Sequence, residues 1–155
     1  MVPPETFFRS LLKKIATLGF IGYLPFAPGT WGTLAGLIFV IFENSPMPVH
    51  LALIIAAAGL GVIASDTAEK IIGDADSGHI VIDEFAGYLV SVSFLPHTYG
   101  YLIAGFLLFR IFDILKPFPI RTLERALKGG AGIMADDILA GIFTNVILQA
   151  WTRIF

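Results

Sequence analysis

The chain has 155 residues, of which 56% are hydrophobic and 14% charged, and its formal net charge is −2. Because soluble domains are about a quarter charged, this composition favours a membrane protein, and the net charge gives no reason to expect a nucleic-acid partner. The absence of cysteine excludes disulfides, thiolate metal sites and cysteine nucleophiles. At this length a single domain over residues 1–155 is expected.

Apolar residues at helical spacing predict an all-α protein, a compact membrane-embedded bundle of about five to six helices. An N-terminal amphipathic segment, residues 5–19, could be a solvated helix or could lie on a membrane surface. A Gly- and Pro-rich loop follows, and Thr30 is expected to be the N-cap of the next helix. The predicted apolar helices cover residues 31–43, 49–72, 80–95, 100–116 and 133–153, with a short basic helix at 120–128 before the last.

Only two of these segments, 49–72 and 133–153, approach the length of about 20 residues that a helix needs to span a bilayer. Gly32 and Gly36 form a GxxxG pair, and the predicted apolar helices also contain Gly59, Gly61, Gly87, Gly105 and Gly141. Such small residues predict close contacts between helices.

Five acidic residues lie at the margins of strongly apolar stretches. A carboxylate near hydrocarbon is costly unless a partner neutralises it. The two bases closest to them in sequence, Arg110 and Lys116, cannot balance five acids, so a bound divalent cation is expected. The five acids are Asp83, Glu84, Asp113, Asp136 and Asp137.

The distribution of basic residues predicts the orientation in a membrane. Lys and Arg occur in the N-terminal arm and in the connections after the second and fourth apolar helices, but not in the intervening loops. Since cytoplasmic segments carry the excess of basic residues, the N-terminus and these connections are expected in the cytoplasm. All five acids and the Ala-Pro-Gly-Thr segment at 27–30 then lie at that same end, which predicts one site at the inner membrane surface.

Each acidic group also has a purely structural interpretation. Asp83 and Glu84 could be helix N-terminal acids. Arg110 could form an intrahelical ion pair with Asp113, three residues later. The glycines before Asp136 and Asp137 could be no more than a helix cap and turn, and the segment at 27–30 could be an ordinary helix start. A functional interpretation has the acids on a metal, Arg110 on an anion, and the helix start at Thr30 binding a phosphate.

The segment DADSGH fits neither of the motifs that it suggests. No β-branched strand run precedes Asp74 and Asp76, as a phospho-aspartate hydrolase requires, and the glycine position of a calcium loop holds His79. We interpret the two aspartates as a solvated loop or as outer ligands of the same site. His50 and His97 are expected at the membrane interface, and His79 is a weak candidate for function.

Four blocks of sequence resemble the phosphatidylglycerophosphatase A family. The blocks are GYLPFAPGTWGTLAG, HIVIDEFAGYLVS, FRIFDILKPFPIR and GGAGIMADDILAG, which together cover roughly residues 19–147. The resemblance implies an all-helical, magnesium-dependent enzyme that removes the terminal phosphate from phosphatidylglycerophosphate. It also implies a bacterial cytoplasmic membrane location, with an anionic phospholipid as substrate and the active site facing the cytoplasm.

Carried over by position, the resemblance assigns three sets of residues. Expected catalytic residues are Asp83, Glu84, Asp137 and Arg110. Expected Mg²⁺ ligands are Asp83, Glu84, Asp113, Asp136 and Asp137. Expected phosphate contacts are Thr30, Gly29, Arg110 and Lys116.

Three alternatives remain open on the sequence. The enzyme could act on another lipid phosphate, such as phosphatidic acid or a polyprenyl phosphate. The chain could be a small ion- or proton-coupled transporter, since acids inside a membrane also mark ion pathways. It could also be a lipid-binding protein with structural carboxylates. Clustering of the acids at one end, rather than along a path through the bilayer, favours the enzyme over the transporter.

Overall fold

A computed structural model describes residues 4–75 and 77–154, and these residues form helices and no strands. The all-α prediction is confirmed, although the described residues form seven α-helices rather than five to six. Asp76 lies outside the described residues. The elements are α1 (Pro4–Ala16), a 3-10 turn (Ile21–Tyr23), α2 (Pro28–Phe42), α3 (Met47–Ile72), α4 (Ile82–Val92), α5 (Tyr99–Leu115), α6 (Ile120–Ala126) and α7 (Gly130–Ile154).

The predicted start of α2 is wrong. The helix begins at Pro28, so Thr30 lies inside its first turn and is not the N-cap. The cap residue is Ala27, which has a left-handed backbone (φ 52°) and makes no side-chain capping hydrogen bond. Proline favours this earlier start because its fixed φ suits the first helical position, where an N–H has no intrahelical partner.

Helix α4 lies at the centre of the bundle, packed against α2, α5 and α7. Ala86, Tyr88 and Leu89 are almost fully buried, and the Tyr88 hydroxyl donates a 2.9 Å hydrogen bond to the Leu102 carbonyl of α5. Helices α1, α3 and α7 pack with the first turns of α4 around Ala64, and Ile82 and Ala86 of α4 belong to this second apolar cluster. The acidic pair of α4 therefore begins a helix that is held in place by α2, α3, α5 and α7.

Glycines set the closest helix contacts around α4. A Cβ on Gly87 would lie 2.7 Å from the Asp137 carbonyl oxygen of α7, and one on Gly32 would lie 2.8 Å from Val81. These distances are shorter than ordinary van der Waals contact, so only glycine permits the approach. The predicted close contacts are present at the GxxxG pair and at Gly61, Gly87, Gly105 and Gly141. The prediction is wrong at Gly59, where a Cβ would meet nothing within 4 Å.

Two helices, α3 and α7, are long and apolar enough to cross a membrane, while α2 is apolar but shorter. These are the two segments that the sequence singled out by length. Helix α3 also exposes large aliphatic side chains, including Ile55, Leu60 and Ile63. Exposed apolar surface on such helices favours contact with lipid.

Candidate metal and phosphate site

Three carboxylates from two helices converge at one end of the bundle. Asp83 and Glu84 occupy the first turn of α4, and Asp137 lies two turns into α7. One oxygen from each residue lies within 4.8 Å of the others, which is the spacing of a possible cation site. The contact of Gly87 with the Asp137 backbone holds the two helices close enough for this convergence.

Each of these three carboxylates has a buried oxygen that no hydrogen bond satisfies among the described residues. The oxygens are Asp83 Oδ1, Glu84 Oε2 and Asp137 Oδ2. Burial raises the pKa of Asp83 well above its usual range, and the neighbouring charges of Glu84 and Asp137 raise it further. Burial also raises the pKa of Glu84 to about 7. A buried acceptor without a partner is costly, so this arrangement suits a cation with all-oxygen ligands, such as Mg²⁺.

Arg110 links this cluster to α5. Its guanidinium donates a hydrogen bond to Asp113 on the same helix, and its Nη1 lies 3.8 Å from Glu84 Oε1. The intrahelical ion pair that the sequence offered as the structural alternative is therefore formed, but Arg110 also reaches a second carboxylate. Its Nε is buried and donates to no described residue, which leaves an N–H available to an anion.

The N-terminus of α2 lies against the same cluster. A Cβ on Gly29 would overlap Glu84 Oε1 and would lie 3.1 Å from Arg110 Nη1. Thr33, one turn further on, receives a long 3.5 Å hydrogen bond from Arg110. Thr30 is half-buried in the turn between them. The expected phosphate residues Gly29 and Thr30 are thus on the helix start that faces the acids, where backbone N–H groups favour anions.

Asp136 makes different contacts from those of its neighbour Asp137. Its Oδ2 accepts a 2.6 Å hydrogen bond from Lys116 Nζ, which also donates a 2.6 Å bond to Glu124 Oε1 of α6. Burial lowers the pKa of Lys116, but the bonds to Asp136 and Glu124 outweigh it and raise that pKa overall. Asp136 and Lys116 therefore form a group of their own beside the three carboxylates.

Glu124 was missed by the sequence analysis. It belongs to the short basic helix that follows Pro117 and Pro119, eight residues after Lys116. No helical period relates two residues across such a turn, so no local signal pairs them. Its contact with Lys116 exists only because α6 folds back toward the end of α5.

None of the three histidines belongs to the carboxylate group of Asp83. His50 contacts Glu43 at 2.8 Å, beyond the C-terminal end of α2, and His97 contacts the Val40 carbonyl at 2.7 Å. His79 contacts the Gly22 carbonyl at 2.8 Å and stacks on a tyrosine ring. All three have structural contacts.

The fold and the site define a helical protein that brings buried carboxylates and an arginine together at one end. This combination is typical of metal-dependent phosphate chemistry.

Comparison with known proteins identifies the family. The family model described as phosphatidylglycerophosphatase A matches residues 14–152. The chain is 40% identical over 151 residues to Phosphatidylglycerophosphatase A of Haemophilus influenzae, covering 90% of this chain and 93% of that protein. It is 38% identical over 129 residues to Phosphatidylglycerophosphatase A of Escherichia coli, covering 82% and 75%. The chain therefore belongs to the phosphatidylglycerophosphatase A family, whose members are lipid phosphatases.

A third relative carries another name. A protein of Bacteroides thetaiotaomicron named "Putative phosphatidylinositol-3-phosphatase" is 36% identical over 149 residues, covering 90% of this chain and 92% of that protein. No solved structure matches the chain.

Proposed function

We propose that the chain hydrolyses the terminal phosphomonoester of phosphatidylglycerophosphate, giving phosphatidylglycerol and phosphate, and that it requires Mg²⁺. The family match over residues 14–152 supports the reaction class. The proposed Mg²⁺ requirement is supported by the convergence of three carboxylates, each of which has a buried oxygen without a hydrogen-bond partner among the described residues.

Asp83, Glu84 and Asp137 would hold the Mg²⁺ ion. When bound, the ion supplies positive charge for the phosphate and lowers the pKa of a water molecule. The carboxylates that surround it orient the attacking water and accept its proton. Attack of this water would form a new P–O bond and break the bond to the glycerol oxygen, which would leave as a hydroxyl by taking up the proton that the carboxylates accepted.

Arg110 would bind the phosphate that is transferred to water. Asp113 fixes the guanidinium on one side, while the buried Nε has no partner among the described residues. A donor held in this way can bond a phosphate oxygen with little loss of side-chain entropy. The α2 N-terminus at Gly29 adds backbone N–H groups on the same side.

We further propose that the protein resides in the bacterial cytoplasmic membrane with this site facing the cytoplasm. The candidate spans α3 and α7 would contact the acyl chains of the substrate. The basic residues Arg121, Arg125 and Lys128 follow the end of α5 where Arg110 lies, and all three are exposed. Such residues attract a protein to anionic lipid head groups on the cytoplasmic leaflet.

The relative from Bacteroides thetaiotaomicron supports a second candidate function, which is a phosphatase for a different lipid phosphate. Phosphate release should therefore be measured on purified phosphatidylglycerophosphate, phosphatidylinositol 3-phosphate and phosphatidic acid, each with and without Mg²⁺. We expect phosphatidylglycerophosphate to be the preferred substrate. Preference for another lipid would move the assignment to that substrate.

Substitution of the carboxylates tests the site. Asp83→Asn and Asp137→Asn should each abolish phosphate release while the protein stays folded, because each removes a charge from the proposed cation site. Asp66→Asn is the matched control, since Asp66 is about half exposed and pairs with Lys70 within α3. It should retain full activity. Full activity in both site variants rules out the proposed ligands.

Chelation tests the metal separately. EDTA should stop turnover, and added Mg²⁺ should restore it. Turnover that continues in EDTA would point to covalent catalysis. Ion flux through liposomes without any hydrolysis would instead support the transporter, and lipid binding without turnover would support a binding protein.

A further inference from the structure

A cavity of about 320 Å³ lies between α3, α6 and the start of α7, and its lining is mostly apolar with several charged side chains. Acidic side chains from all three helices reach its walls: Glu69, Glu124 and Asp136. The exposed Lys128 and its neighbour Gly129 also line the cavity. The cavity is many times larger than the ~30 Å³ that one water molecule occupies in the liquid, so it can hold a small organic group.

Asp136 lines this cavity and carries an unsatisfied acceptor. The residue is only 4% exposed, and its Oδ2 is occupied by Lys116. Its other oxygen, Oδ1, is buried and has no hydrogen-bond partner among the described residues. A buried carboxylate oxygen without a partner is costly, and a hydrogen-bond donor on a ligand in the cavity would stabilise it.

The charges around the cavity indicate what kind of group can supply that donor. Lys116 donates to both Asp136 and Glu124, so one positive charge is shared between two carboxylates. The three lining acids outnumber the two bases, Lys116 and Lys128, by one charge, and this excess disfavours a phosphate in this position. It favours a neutral hydroxyl group, which can donate to a carboxylate and carries no charge.

The position of Asp136 relates the cavity to the reacting phosphate. Asp136 and Asp137 are consecutive on α7, and consecutive helical side chains point about 100° apart. Because the Cα atoms of consecutive residues are about 3.8 Å apart, a head group whose phosphate binds near Asp137 can reach Asp136 a few bonds further along. In the substrate of the proposed function, those atoms are a glycerol unit with one free hydroxyl, between the terminal phosphate and the diester phosphate.

We propose that this cavity receives the glycerol unit of the head group, and that Asp136 Oδ1 accepts a hydrogen bond from its free hydroxyl. This inference rests on the proposed function and extends it to head-group selectivity. Asp136 then acts in recognition, whereas Asp83, Glu84 and Asp137 hold the cation. Glu124 acts as a positioning residue, because it holds Lys116 away from the free oxygen of Asp136.

The test compares two substrates on the intact protein with Mg²⁺. One is phosphatidylglycerophosphate, and the other is its analogue in which propane-1,3-diol replaces glycerol, so that only the free hydroxyl is missing. We expect the unaltered protein to prefer the natural head group by about tenfold to hundredfold in kcat/KM, as for a hydrogen bond to a charged acceptor. In Asp136→Asn, this preference should fall to about threefold or less, because the charge of the acceptor is lost.

Two further variants separate recognition from folding. In Glu124→Gln, Lys116 loses a charged partner and can move toward Asp136, so the preference should also fall. Glu124 is partly exposed, so this variant tests the idea even if Asp136→Asn does not fold. Asp74→Asn is the control, since it removes one negative charge from an exposed residue in a nearby loop, and it should keep the full preference.

The possible failures are distinct. Equal kcat/KM for both substrates in the unaltered protein overturns the hydroxyl contact, as does an unchanged preference in folded Asp136→Asn or in Glu124→Gln. Failure of the proposed function gives another result, because the unaltered protein then releases phosphate from neither substrate.

Discussion

Replacing Gly87 with alanine tests whether the contact between α4 and α7 positions the carboxylates. The added Cβ would lie 2.7 Å from the Asp137 carbonyl oxygen and 2.7 Å from the Phe109 ring, whereas ordinary contact begins at 3.4 Å. Because the carbonyl belongs to helix backbone, α7 must move away by about 0.7 Å. The displaced residue is itself one of the three that converge at the site.

The expected consequences follow from that displacement. Overpacking a tightly packed contact costs about 1–3 kcal/mol of stability. A misplacement of about 1 Å in a catalytic group costs on the order of a hundredfold in rate, so a shift of 0.7 Å should lower kcat by at least about tenfold. Phosphate release from phosphatidylglycerophosphate with saturating Mg²⁺ measures the rate, and thermal unfolding measures the stability.

Gly59→Ala is the matched control for this experiment. Gly59 lies within α3, and a Cβ there would meet nothing within 4 Å. Alanine should stabilise that helix by about 0.5–1 kcal/mol and leave the rate unchanged. If Gly87→Ala instead keeps both the rate and the melting temperature of the unaltered protein, the glycine contact does not position the site.

Two further substitutions probe opposite ends of the bundle. Arg110→Lys should lower kcat/KM by about tenfold or more in the same phosphate-release assay, because an ammonium cannot bond one carboxylate and still present a second, fixed N–H to phosphate. Kinetics like those of the unaltered protein would exclude Arg110 from phosphate binding. His50→Ala should destabilise the protein by about 1–3 kcal/mol in thermal unfolding, because it breaks a buried contact with Glu43. Turnover should stay intact, because Glu43 lies at the C-terminal end of α2, whereas the N-terminal end of that helix faces the acids. A loss of turnover in a folded His50→Ala protein would show that this end of the bundle also serves the reaction.

The helices were predictable because their signal is local. Apolar residues three and four positions apart predict α3 and α7 within a few residues of their ends, and the lengths of the two segments identify them as the candidate spans. The acidic blocks and the GxxxG pair of α2 can likewise be recognised from neighbouring residues alone. The start of α2 was less accurate, because a capping residue was expected where a proline begins the helix.

Tertiary structure decided which acids act together. From the sequence, all five acids were expected as Mg²⁺ ligands, whereas the fold groups Asp137 with Asp83 and pairs Asp136 with Lys116. It also brought Glu124 to the same lysine, with no sequence signal for that contact. The physical reason is that periodicity determines only the face of its own helix on which a residue lies. The approach of one helix to another depends on side chains and glycines that are distant in sequence and meet only in the packed bundle.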